Sequence, residues 1–222
     1  VSALKGIEVV VPIRINKNRA LLMAKKLVRD KEAWLKKTLK RLNFDSTTTP
    51  LACIDLPQTL NLKAIQQPLN LVYIAQKTST AVVNRENDTI KVRGIISERI
   101  ILLKALENYL KALAKDYFGY RLDYYSQKYQ LNYNRLTIRG QKTRWGSCSS
   151  KKNISLNYKL LFIEKELANY VILHELAHTK HLNHSVLFWE TLEEICPNAK
   201  LLDKQLYDST ADIPEWVIRL RS

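Results

Sequence analysis

All four histidines of this 222-residue chain, His174, His178, His181 and His184, fall in one stretch, VILHELAHTKHLNHSVLFW, from Val171 to Trp189. His174, Glu175 and His178 spell H-E-L-A-H, the two-histidine metal pattern with an adjacent carboxylate. On a helix, residues four apart share a face, so both imidazoles can reach one ion while Glu175 sits about a quarter-turn round and holds a water against it. Zinc lowers the pKa of such a water towards about 7, and Glu175 can take its proton as general base. Alone, H-E-x-x-H recurs by chance in helical proteins. The absence of histidine elsewhere in the sequence argues against four ordinary surface or core histidines.

A hydrolytic zinc takes three protein ligands and leaves one position open. On an unbroken helix His181 shares the face of His174 but lies about 10 Å along the axis, too far for one ion bound at about 2.1 Å. His184 can serve only if the chain turns first. Asn183 is the expected turn, since Asn tolerates the left-handed conformation that ends helices, and Ser185 can cap a following helix from Val186 to about Cys196. The ligand set is therefore read as His174, His178 and His184, with His181 behind them or on the surface.

The elements that must position these residues follow from periodicity. Residues 7–15 alternate as a half-buried strand with Pro12 at an edge, and apolar residues between Leu21 and Leu42 recur at helical spacing, in two pieces joined near Asp30. Between Arg14 and Asp45, eleven basic residues face three acidic ones, a net +8 within an overall +15. Such a segment attracts phosphates or forms a solvated lysine-rich face. Runs at 60–65, 69–75, 80–83 and 89–92 read as strands, the last two joined by a turn at Glu86, Asn87 and Asp88. Ser97 is expected to cap a long helix with a break at Gly119, whose tyrosines, with Arg121 and Lys128, form either a core stripe or a surface for single-stranded nucleic acid. Strand-like runs at 136–139 and 154–157 flank QKTRWGSCSSKKN and suggest a hairpin leading into the H-E-L-A-H helix, which reads as buried nearly all round.

Chain length allows one or two domains, here 1–95 (strand, basic helices and small β-rich unit) and 96–222 (the metallohydrolase domain). Three cysteines, Cys53, Cys148 and Cys196, are odd in number and widely spaced, which favours reduced thiols and a cytoplasmic setting. No apolar run is long enough for a membrane span. The opening VSALKGIEVVVPIRINKNR lacks the order of a secretory signal, and because Val1 is not an initiator Met, residues are expected to precede it.

RWGSCSSKKNISLNYKL, from Arg144 to Leu160, followed by YVILHELAHTKHLNHSVLFW, from Tyr170 to Trp189, resembles the YgjP-like metal-dependent hydrolases, related in their catalytic core to SprT-like and WLM-type zinc proteases. The resemblance extends more weakly to the first strand with its helices and to the helix from Ser97. It implies an α+β fold: a minimal zincin core, with the active-site helix under a small sheet and an N-terminal β-rich part carrying the basic helical segment. It places the third ligand on the histidine of N-H-S, His184. It also implies a strand over the helix, here 154–157, whose exposed edge can pair with an extended peptide, and an R-W-G-S-C loop close to the metal. Arg144, Trp145 and Asn157 are thus the expected substrate-side residues, with Arg144 binding a carboxylate or phosphate or holding the loop, and packing the more natural role for Trp145 and Cys148. The metzincin pattern fits less well, having Gly where this chain has His181 and needing a downstream Met, whereas the sole Met is Met23. A gluzincin third ligand from Glu190, Glu193 or Glu194 would leave His184 idle.

Three functions compete. The first is a zinc metallopeptidase acting on peptide or protein, with Glu175 as base. The second is a nucleotide pyrophosphatase at the same metal, aided by Lys142 and Arg144. The third is a nucleic-acid-binding module with a non-catalytic metal site.

Overall fold

The computed structural model describes residues 55–220, together with residues 26, 27, 29–32 and 34. The described residues between 26 and 34 are helical with a turn at Lys31, whose N–H donates to the carbonyl of Leu27 at 3.1 Å. The expected strand at 7–15, most of the basic helices and Cys53 lie outside the described residues. The chain divides into two compact units, Val1–Thr49 and Pro50–Ser222. The boundary expected near residue 95 falls inside the second unit, because one helix packs against strands on either side of that point.

The second unit is α+β, as expected. Its first sheet holds β1 (Thr59–Leu62), β2 (Gln67–Ala75), β3 (Val82–Glu86) and β4 (Thr89–Gly94), in the order β1-β2-β4-β3. β1 and β2 are antiparallel, β2 and β4 parallel, and β3 and β4 form a hairpin. Asn87 turns that hairpin at φ 52°, a conformation Asn accepts more readily than most residues. Period-two alternation sends Leu60, Leu62, Leu69, Leu71, Ile90 and Val92 into the core, all at most 4% exposed.

Helix α1 (Arg99–Tyr129) follows, 31 residues without a break and about 46 Å long. It starts from Glu98 rather than Ser97 and runs straight through Gly119. One glycine costs a helix about 1 kcal/mol relative to Ala, and tertiary packing outweighs that here. Leu103, Leu106, Leu110, Ala114, Phe118 and Leu122, spaced three or four apart, are all fully buried. Glu107 is buried beside them, with its Oε1 2.9 Å from Lys111 Nζ. The helix packs against β3 and β4 near its start and against β5 further on, so it is the spine joining the two sheets. At its end Gln130 is left-handed (φ 55°), which stops the helix.

The second sheet has β5 (Arg135–Arg139), β6 (Gly146–Cys148) and β7 (Asn153–Asn157), in the order β5-β7-β6. β5 and β7 run parallel, while β6 and β7 form the antiparallel hairpin, with Ser147 opposite Ser155. The strand at 154–157 is therefore the centre of the sheet, paired on both sides, and not its free edge. β6 is the edge instead, because the parallel β5–β7 pairing takes the position expected to stay open. After a 3-10 turn over Tyr158–Phe162 come α2 (Lys165–Ala177), α3 (Val186–Ile195), α4 (Ala199–Asp208) and α5 (Glu215–Arg219). α2 touches β6, β7, α1, α3 and α4. Only an apolar helix tolerates such enclosure, and Leu167, Ala168, Tyr170, Val171, Ile172, Leu173, Leu176 and Ala177 supply it. Among the described residues, no helix is long and apolar enough to cross a membrane, and Cys148 and Cys196 are free thiols.

Candidate metal centre

α2 ends at Ala177, earlier than the expected turn at Asn183. His178 already caps it, and the Thr179, Lys180 and His181 amides close back on Leu176 and Ala177. The Thr179 hydroxyl also donates to the Leu176 carbonyl at 2.7 Å, competing for the acceptor a continuing helix would use. Asn183 is not in the left-handed region, so the reversal is a turn over 178–180 followed by a bend at Leu182 and Asn183. Ser185 occupies the N-cap of α3 in extended conformation, though its hydroxyl makes no cap bond.

This reversal brings His184 back over α2. One nitrogen from each of His174, His178 and His184 lies within 4.8 Å of the others, and the Nε2 atoms of His174 and His184 are 3.0 Å apart. Nitrogens sharing a tetrahedral ion at about 2.1 Å would be about 3.4 Å apart, so the three imidazoles need only small adjustments to hold one. The other ring nitrogens fix the tautomers. His178 Nδ1 lies 2.9 Å from the His181 carbonyl, which can only accept, so Nδ1 carries the proton and Nε2 keeps its lone pair. His174 Nδ1 lies 3.1 Å from the Tyr170 hydroxyl, which itself donates to Asp203 Oδ1 at 2.8 Å. With its one proton spent on Asp203, the hydroxyl must accept from His174 Nδ1–H, again leaving Nε2 free. Burial, then its two histidine neighbours, holds His174 down at about 3, and burial lowers His178 as well. Neutral imidazoles are the form a metal requires.

Phe188, fully buried, forms the floor of the cluster. Its ring centroid is 5.0 Å from that of His174, 4.5 Å from His178, which it stacks upon, and 4.8 Å from His184. His181, past the end of α2, is turned away, its Nε2 3.1 Å from the Thr191 hydroxyl.

Glu175 is 5% exposed, and burial pushes its carboxyl up to about 8. Its Oε2 has no protein hydrogen-bond partner. A buried, unpartnered carboxylate oxygen is costly, and a bound water or cation beside it would relieve that cost and return the group towards its ionised state. Donor chemistry, tautomers and this orphaned oxygen all fit a divalent ion held by the three histidines. β6 lies directly against the carboxylate: a Cβ at Gly146 would sit 2.5 Å from Glu175 Oε1 and 2.7 Å from its Cγ. Cys148, on the same strand, is pushed up to about 11 by burial and by Glu175.

The R-W-G-S-C loop thus reaches Glu175 through Gly146 rather than through Arg144 or Trp145. Arg144 is exposed and Trp145 half-buried against the core. Asn157, expected on the substrate side, is 4% exposed, and its amide faces the loop. Its Nδ2 donates to the carbonyls of Gln141 at 2.8 Å and Arg144 at 2.9 Å, while its Oδ1 accepts from Lys159 N–H at 3.2 Å. With the Asn157 N–H donating to the Trp145 carbonyl at 2.8 Å, this residue clamps the loop that leads into β6.

A family model described as YgjP-like, metallopeptidase domain, matches residues 1–209. The chain belongs to the YgjP-like metallopeptidase family. The match spans the histidine cluster, the R-W-G-S-C loop and the basic N-terminal segment alike, and membership in a metallopeptidase family implies a divalent metal. The zymogen of the metallopeptidase abylysin from Pyrococcus abyssi is 28% identical over 40% of this chain and 90% of its own, with a TM-score of 0.37. The zymogen of jannalysin from Methanocaldococcus jannaschii is 27% identical over 39% and 93%, with a TM-score of 0.33. At such TM-scores neither likeness bears on the architecture. No match to a curated protein was found.

Sequence reasoning missed Gly146 as the contact to Glu175, Phe188 as the floor, and Tyr170 and Asp203 behind His174. Tyr170 and Phe188 each lie four residues from a histidine, a helical spacing that could have singled them out. Asp203 carried no local signal, being on a separate helix.

Proposed function

We propose that this YgjP-like protein is a zinc metallopeptidase in which His174, His178 and His184 hold the ion and Glu175 is the general base. The observation that supports the reading is the convergence of three imidazoles within 4.8 Å around the end of a helix that also carries a buried carboxyl with an unpartnered oxygen. Zinc, when bound, supplies a water acidic enough to attack near neutral pH and polarises the scissile carbonyl. Glu175 accepts the proton of the attacking water and passes it to the departing amine. β6 offers an unpaired strand edge to which an extended peptide adds, and the missing side chain of Gly146 lets that strand lie directly against Glu175. Leu182, Val186 and Leu187, 60% to 73% exposed on either side of His184, give apolar contacts to the peptide's side chains. Exposed Lys142 and Arg144 favour acidic stretches in the substrate.

The same activated water could serve a phosphoanhydride, and membership in a metallopeptidase family favours the peptide bond. The test is Glu175→Gln in the zinc-loaded protein, followed with a quenched fluorescent peptide library. Zinc stoichiometry is expected to hold while cleavage falls about 100- to 10,000-fold. Full cleavage by Glu175→Gln, or hydrolysis of nucleoside triphosphates but no peptide by the wild type, would overturn the proposal.

A further inference from the structure

Behind the proposed metal ligands runs a relay that the zinc-peptidase reading does not by itself require. Tyr170, on α2 one turn before His174, is 1% exposed. Its hydroxyl accepts from His174 Nδ1–H at 3.1 Å and donates to Asp203 Oδ1 at 2.8 Å. Asp203 sits on α4 with its residue exposed, so its charge is solvated on one side and directed into the protein on the other. The rings of Tyr170 and His174 meet edge to face at 5.7 Å, which restrains the imidazole's tilt as well as its tautomer. His178 has a backbone carbonyl in the equivalent place. Behind the Nδ1 of His184 no hydrogen-bond partner stands among the described residues, so the three ligands are held unequally.

We infer that Asp203 and Tyr170 are positioning residues that act in series, a carboxylate–tyrosine–histidine relay that aims His174 Nε2 at the ion and raises the metal affinity of the site. This rests on the metal-site reading. The physical argument is that an ionised carboxylate can only accept, so it orients the single phenolic proton outward; the phenol oxygen must then face His174 with its lone pairs and hold the ring N–H. Hydrogen-bond partners of this kind behind metal-bound histidines fix ring orientation and increase ligand basicity. A tie between α2 and α4 made only for packing would need the Tyr170 ring but not the orientation of its proton.

The experiment measures zinc affinity by competition with a chromophoric chelator for the wild type, Tyr170→Phe, Asp203→Asn, the double variant and His184→Ala, with thermal unfolding of each metal-free protein as the structural control. Tyr170→Phe removes one oxygen and is expected to weaken zinc binding by about 10- to 100-fold with little change in the metal-free melting curve. Asp203→Asn, a surface change, is expected to weaken it in the same direction by a smaller factor. Because Asp203 acts through Tyr170, the double variant is expected to match Tyr170→Phe alone rather than multiply the two losses. Cobalt substitution gives a second readout, with visible bands shifted in both single variants. If the wild type binds zinc tightly, His184→Ala weakens it and Tyr170→Phe does not, the relay is wrong and the metal site stands. Multiplicative losses in the double variant would likewise overturn action in series. If the wild type binds no zinc, or His184→Ala leaves binding unchanged, the metal-site reading itself fails and the relay with it.

Discussion

Replacing Gly146 by Ala puts a methyl group where the Glu175 carboxylate now lies. The ideal Cβ would sit 2.5 Å from Oε1, 2.7 Å from Cγ and 2.9 Å from Cδ of Glu175. Ordinary non-bonded contact begins near about 3.5 Å, so the carboxylate must retreat by roughly 1 Å from its present 2.5 Å. Gly146 is not in the left-handed region, so the substitution adds no backbone strain and acts through its contact with Glu175. Glu175 sits on a helix enclosed on several sides and cannot swing freely into solvent. A displacement of about 1 Å in a reacting group costs about 100-fold in rate, equivalent to about 2.7 kcal/mol of transition-state stabilisation. If the carboxylate does not retreat, the overpacking appears as a stability loss of about 1–3 kcal/mol instead. The assay is steady-state cleavage of a quenched peptide by zinc-loaded Gly146→Ala, with zinc content and melting temperature measured on the same sample. The expected result is kcat down about 100-fold with zinc content unchanged. Wild-type kcat with a wild-type melting curve would refute the placement of β6 against Glu175, and loss of zinc in parallel with activity would show that the strand acts on the histidines rather than on Glu175.

Two further predictions concern the cluster itself. Phe188→Ala, which removes a fully buried ring touching all three imidazoles, is expected to cost about 3–5 kcal/mol by chemical denaturation and to weaken zinc binding, whereas Phe188→Leu keeps most of both. In chelator-treated protein, His174 titrates at about 3 instead of its ordinary 6.5. The unfolded chain then takes up the proton first as pH falls. The stability tied to neutral His174 is complete above about pH 6.5 and declines from there towards about pH 3, by up to about 1.4 kcal/mol per pH unit. Glu175, raised to about 8, contributes the opposite slope in the metal-free protein, so the check compares metal-free wild type with His174→Asn. Between about pH 7 and about pH 5 the urea midpoint of the wild type is expected to lose more, or gain less, than that of the variant.

The spacing of H-E-L-A-H and the return through N-H-S singled out the three histidines whose ring nitrogens the fold brings within 4.8 Å of one another, because two residues four apart on a helix and a chain reversal soon after it are local features. The α+β class, the strands of the first sheet and the long helix were legible for the same reason, each being a periodic pattern of burial. The sequence misplaced what depends on competition between neighbours. Asn183 looked like the turn, yet the Thr179 hydroxyl and the bonds back to Ala177 end α2 first. Gly119 looked like a break, yet the buried line from Leu103 to Leu122 outweighs one glycine. Strand 154–157 looked like the free edge, yet a strand's partners are chosen by which distant segment reaches it, and β5 does so in parallel. Tertiary structure alone brought Gly146 against Glu175, Phe188 beneath the imidazoles and Asp203 behind Tyr170. Those contacts join residues up to 33 positions apart, and no local rule of spacing or propensity encodes a meeting at that separation.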